Sequence, residues 1–165
     1  MAFFLGTIEP DRKIRFFFIM AFELDYQYFK SPEGWYSFVF PDYWETEVIE
    51  GVPVFYDPQG DGALVISAFK HLTGSYDLDE EMKRFLGQHS VEYDRNCIAV
   101  FENREGSRIQ ACEFYSKERF WLVYMIAHRN KLIIASYNSD ERPDADLSQI
   151  LTRIISSIHF IVEPK

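Results

Sequence analysis

Eight consecutive residues, "FWLVYMIA" (Phe120–Ala127), carry no charge and are apolar at almost every position. A strand with one wet face alternates apolar and polar residues, so a run without alternation needs cover on both faces. It predicts an interior strand of a sheet with packed layers above and below. The end of the chain supplies one such layer. Leu147, Ile150, Leu151, Ile154, Ile155 and Ile158 recur at i, i+3, i+4, i+7, i+8 and i+11, which makes one wide apolar stripe on a helix. Pro143 suits its first turn, and Asp144 and Asp146 sit where the positive end of the helix dipole favours acids.

The other elements follow from turn chemistry and period. Tyr26–Phe29 and Tyr36–Phe40 read as strands around the turn "SPEG", and Pro41 stops the second. Thr46–Ile49 and Val52–Tyr56 read as a hairpin around Glu50 and Gly51. "DPQGDG" (residues 57–62) is a turn into the strand Ala63–Phe69. A helix starts after Asp77, with Glu80 three residues on as in a capping box, shows Leu78, Met82, Phe85 and Leu86 on one face, and ends at Gly87. Four strands then form a meander, about Cys97–Phe101, Arg108–Tyr115, Phe120–Ala127 and Leu132–Tyr137, whose short turns impose antiparallel neighbours. The expected fold class is α+β, an α/β/α sandwich with a central twisted antiparallel sheet flanked by helices.

Residues 35–44 hold six aromatic rings: Trp35, Tyr36, Phe38, Phe40, Tyr43 and Trp44. Period two puts Tyr36, Phe38 and Phe40 on one strand face, so the cluster reads as core wall, with Trp44 folding back as a plug, rather than as a stacking platform. Phe38, Phe40 and Trp44 are therefore expected to be buried. Tyr43, Tyr56, Tyr76, Tyr93 and Tyr137 fall at strand ends or in loops, where aromatic residues suit contact with another molecule. Tyr43, Tyr56 and Tyr76 are the candidate contact residues.

Length and charge narrow the function. A chain of 165 residues can bury about 70% of its unfolded surface in one core, and residues 26–165 are read as a single domain after an extension or arm at 1–25. The formal charge of -9 disfavours nucleic acid and anionic membrane surfaces as partners. Arg12, Lys13 and Arg15 precede the apolar run Phe16–Phe22, which is too short to span a bilayer; Glu23 and Asp25 stand where a secretory signal needs small residues. A cytoplasmic location without a membrane span is expected, the run serving as a strand or packed arm, or else residues 1–19 being an extension upstream of a start at Met20. If Asn103–Gly106 is the hairpin turn, Cys97 faces Cys112 across it. Two small buried thiols are the expectation over a bridge.

No catalytic or metal motif emerges. "DPQGDG" has acids at the first and fifth places of a calcium loop, but Gln59 holds the third and Ala68 the closing position. The acids of "YDLDEE" need only a helix N-terminus to explain them. His71, His89, His128 and His159 show no ligand spacing. Neither a nucleophile elbow nor a phosphate-binding or dinucleotide loop occurs. No cofactor, metal or catalytic residue is assigned, and the chain is not read as an enzyme.

The order "GWYSFVFPDYW", an acid-rich strand, "VFYDPQGDGALVISAF", a helix, a meander and a final helix ending in "IISSIHFI" resembles the PsbP-like superfamily over about Tyr26–Val162. That superfamily includes the extrinsic photosystem II subunit, the Mog proteins that bind the GTPase Ran, and bacterial DcrB-like domains; the likeness is to an uncharacterised bacterial branch. It implies a binding or adaptor role through protein contacts, with an unidentified basic or apolar protein partner or a second copy of the chain. One bacterial branch shields apolar segments of type VI secretion effectors, which implies a chaperone role as the alternative, using a groove along the sheet edge. A small-ligand or enzymatic role needs instead a deep pocket with perturbed charged groups.

Overall fold

A computed structural model describes residues 25–162. The extension and its apolar run, with the alternative start at Met20, lie outside the described residues. The strands are β1 (Tyr26–Lys30), β2 (Tyr36–Pro41), β3 (Glu45–Ile49), β4 (Val52–Tyr56), β5 (Ala63–Lys70), β6 (Ala99–Glu102), β7 (Arg108–Ser116), β8 (Arg119–His128), β9 (Lys131–Ser139) and β10 (His159–Phe160). The helices are α1 (Leu78–Gln88) and α2 (Ala145–Ser157), and a single 3-10 turn spans Arg95–Cys97.

Seven strands form one antiparallel sheet in the order β3-β4-β5-β9-β8-β7-β6. The apolar run lies in β8, flanked by β9 and β7, and is an interior strand as expected. One face carries Ile109, Ile126, Ile133 and Ala135 against Leu151, Ile154 and Ile155 of α2. The other carries Val123, Met125, Ala127 and Leu132 against Leu78, Met82 and Leu86 of α1. Adjacent residues of β8 thus serve opposite cores, which is why the run does not alternate. The layer that holds α2 also holds a second sheet, β1-β2-β10, which joins the two ends of the described chain.

Phe38, Phe40 and Trp44 are buried, as expected of a core wall. The rings of Phe29, Phe38 and Phe40 meet Phe55 of β4 at 5.0, 5.0 and 4.9 Å, tying the small sheet to the large one. Burying a side chain such as Phe55 contributes about 1.5–3 kcal/mol. Gly62 ends the "DPQGDG" turn because a Cβ there would lie 1.9 Å from the Tyr137 hydroxyl. Tyr137 is buried, contrary to its placement among marginal aromatics, since its strand continues to Ser139.

Both helix starts are capped by aspartates: Asp77 as expected, and Asp144, expected only as an acid at the dipole's positive end, which leaves Pro143 before the first turn. Asp77 accepts from the amides of Asp79 and Glu80, and Asp144 accepts from the Leu147 amide. The first helix continues through Gly87 and ends at Gln88 with His89 as its C-cap, one residue beyond the predicted stop. Cys97 does not begin a strand. Asp94 accepts from the Asn96 amide and caps the 3-10 turn, so β6 starts at Ala99. Ser107 stays in the loop, its amide bonded to the Asn103 side chain and its carbonyl to the Asn103 amide. That extra loop residue shifts the register by one, and Ala99 faces Ala111.

Candidate functional site

The main concavity follows from how α2 ends. Ser157 is fastened to β2, with the Val39 amide donating to its hydroxyl at 3.0 Å. The chain then bends at Ile158 into β10, where Nε2 of His159 lies 2.9 Å from the buried Ser37 hydroxyl. Between this corner and the sheet edge β6 an open groove of about 770 Å³ remains. Its floor is Ile109 and Ala111 of β7 with Tyr124 and Ile126 of β8; Ile155 and Ile158 form one wall, and Ala99 and Phe101 the other. Charged side chains gather at one end, where Glu102 of β6 and Arg104 and Glu105 of the following loop reach the rim.

The outer wall is a free strand edge. β6 pairs only with β7 and is exposed along its length, with Val100 66% and Phe101 46% exposed. An exposed edge presents unpaired backbone donors and acceptors that can receive another strand. Backbone bonding along β6 and apolar contact with the floor are therefore available to the same ligand. This combination is the geometry of strand addition, in which the ladder provides affinity and the pockets select side chains.

A polar network fixes the opposite side of the same edge. Asp79 accepts from Gln110 Nε2 and from the Tyr93 hydroxyl, each at 2.8 Å. The Gln110 bond, with the Tyr93 bond second, holds this carboxyl below the usual range. Arg108 donates to the Tyr76 carbonyl at 2.9 Å. These bonds seat the start of α1 on β7, so that the groove lies on the other face of a braced strand.

None of the predicted contact tyrosines lines the groove. Tyr43 is exposed in the turn after β2. Tyr56 donates to Glu47 at 2.7 Å and to Glu45 at 3.2 Å across the first hairpin. The Glu47 bond is the main reason its hydroxyl is pushed up to about 12. Tyr76 stacks on His71 at 4.0 Å, and burial raises its hydroxyl. Tyr56 and Tyr76 make separate local contacts, and Tyr43 is exposed. The groove carries no joint signal in the sequence: β6 and α2 are some 50 positions apart, and the periodic stripe of α2 marks Ile155 and Ile158 only as core.

The remaining candidates have structural partners. His89 packs on Trp121 at 4.3 Å, and desolvation lowers its pKa. His128 stacks on Phe160 at 5.7 Å. Glu80 and Glu81 pair with Lys83 and Arg84 on the surface. In "DPQGDG", Asp57 accepts from the amides of Gln59 and Gly60, as in an ordinary turn. Cys97 and Cys112 are free thiols, the first exposed and the second buried. Asp94 raises the Cys97 thiol and burial raises that of Cys112, so neither is activated as a nucleophile. Among the described residues no cluster of three or more His, Cys, Asp or Glu is arranged to hold a metal, and no helix is long and apolar enough to cross a membrane.

No protein-family model and no curated protein sequence matches the chain. Solved structures do. A 1.50 Å crystal structure from Bacteroides thetaiotaomicron superposes with a TM-score of 0.62 at 20% identity, over 83% of this chain and 49% of that one. This chain therefore spans about half the length of that protein. The cyanobacterial PsbP (CyanoP) of Synechocystis matches with a TM-score of 0.60 at 18% identity, over 84% and 94% of the two chains. The Saccharomyces cerevisiae Ran-binding protein Mog1p matches with a TM-score of 0.53 at 12% identity, over 83% and 96%. The fold is that of PsbP and Mog1p. Within this PsbP-like fold the groove beside β6 joins a free backbone edge to an apolar floor.

Proposed function

We propose that the chain is a non-catalytic binding domain that receives an apolar, basic-flanked segment of a partner protein in the groove beside β6. The observation that carries this reading is the coincidence of an unpaired strand edge with a continuous apolar floor. Glu102 and Glu105 outnumber Arg104 at the rim and, on a chain of formal charge -9, favour cations next to the apolar segment. The Ran-binding neighbour supports a protein ligand, since its fold is the same. Two unactivated free thiols suit a reducing compartment, and we place the activity in the cytoplasm. Chaperoning an apolar segment of a secretion effector is the specific form that the groove's lining favours.

The test uses a fluorescent peptide of eight apolar residues flanked by lysines, titrated with the full chain and followed by anisotropy. Saturable binding is expected, weakened at least tenfold by Ala111→Arg, which fills the floor, and unchanged by Tyr43→Ala. Equal binding by the parent and Ala111→Arg would exclude the groove.

A further inference from the structure

The groove's preferences match a segment of the chain itself. Phe16–Phe22 is a run of aromatic and aliphatic residues, and Arg12, Lys13 and Arg15 lie immediately before it. Apolar side chains suit the floor of Ile109, Ala111, Tyr124 and Ile126, and cations suit Glu102 and Glu105, which outnumber Arg104 at the rim. We propose that residues 16–22 dock in the groove beside β6 as an intramolecular occupant, which a partner's apolar segment must displace. This rests on the reading of the groove as a docking site.

The described chain starts near enough for this. Tyr26, at the beginning of β1, is covered by the Arg153 guanidinium 4.3 Å from its ring centre. Arg153 follows Thr152 on α2, and Thr152 lines the groove. The entry point thus touches the helix that walls the groove, at the residue next to Thr152. Three extended links from Asp25 to Phe22 reach about 10 Å, and the seven residues of the run cover roughly 23 Å more. The four residues of β6 need only about 13 Å. Charge, apolar composition and reach therefore agree on one occupant.

An internal occupant lowers the apparent affinity for an outside one by the fraction of time the groove is free. If the run fills the groove nine-tenths of the time, removing it tightens probe binding about tenfold. Ile19→Asp in the full chain puts a charge in the run while leaving the described core untouched. It is expected to tighten binding of the lysine-flanked peptide by about that factor and to speed amide hydrogen exchange of residues 99–102. Ala111→Arg should speed the same exchange without restoring peptide binding. Unchanged affinity and exchange in Ile19→Asp, with peptide binding still lost in Ala111→Arg, would overturn this inference while leaving the docking site intact. Peptide binding indifferent to both variants would remove both. Exchange protection that grows with protein concentration and tracks a doubled mass would assign the groove to a second copy, and so would also overturn it.

Discussion

The two edges of the seven-stranded sheet are built oppositely. β3 is exposed along its whole length, but Glu45 and Glu47 alternate along it and Tyr56 bridges both carboxylates from the neighbouring strand. β6 is equally exposed, yet Ala99, Val100 and Phe101 leave only Glu102 to charge it. Charge on an edge is a recognised guard against unwanted strand pairing. One border of the sheet is guarded and the other is left receptive, on the side where the apolar floor lies. Val48 and Ile49 of β3 are exposed too, so the contrast rests on the two carboxylates, and it supports the proposed docking at β6 without any appeal to a relative.

The largest effect expected from testing this contrast is on stability. Phe55 ties β4, and through it β3, to the rings of the small sheet. Phe55→Ala should cost about 3–5 kcal/mol in a denaturant titration. Phe101→Ala, on the receptive edge, should stay within about 0.5 kcal/mol of the parent, because its side chain is not committed to the core. A cost at Phe101 as large as that at Phe55 would mean that β6 is structural rather than receptive. A smaller effect is expected on self-association. The double variant Glu45→Val with Glu47→Val should raise the weight-average mass by light scattering at matched concentration, whereas Val100→Lys should not. No rise after the guard is removed would break the comparison.

The smallest effect is spectroscopic. The Tyr56 hydroxyl is pushed up to about 12, chiefly because it donates to Glu47. An acid whose folded pKa is raised adds stability that is present below its unfolded value, near 10, and is lost as pH rises through about 12. Glu47→Gln should bring the phenol titration, followed by ultraviolet absorbance, back toward 10. A titration left near its parent value would show that Glu47 does not bind this phenol in solution, and the guarded edge would lose its bridge.

Much of the fold was legible because its signals are local. The stripe from Leu147 to Ile158, the Asp77 cap and the period-two rings of Tyr36, Phe38 and Phe40 each reflect neighbours a few residues apart. The Cys97–Cys112 register failed on one residue: Ser107, held by Asn103, lengthens the loop that had been taken to end at Gly106. The β7–β8 hairpin turns on Lys117 and Glu118, both with positive φ, where composition gives no glycine or asparagine cue. The groove was not legible at all. It depends on where α2 stops relative to β6, a distance that no periodicity encodes.

The small sheet has a consequence for synthesis. β2 is shared by β1, at the start of the described chain, and β10, which enters last. A ribosome releasing this chain in order can let the seven-stranded sheet assemble, but the pairing of Ser37 with His159 must wait for the final residues to emerge. Until then α2 lacks the corner at Ile158 that bounds the groove. The groove is thus finished last, and a nascent chain cut short before residue 158 would have the sheet and its free edge without the corner that closes one wall.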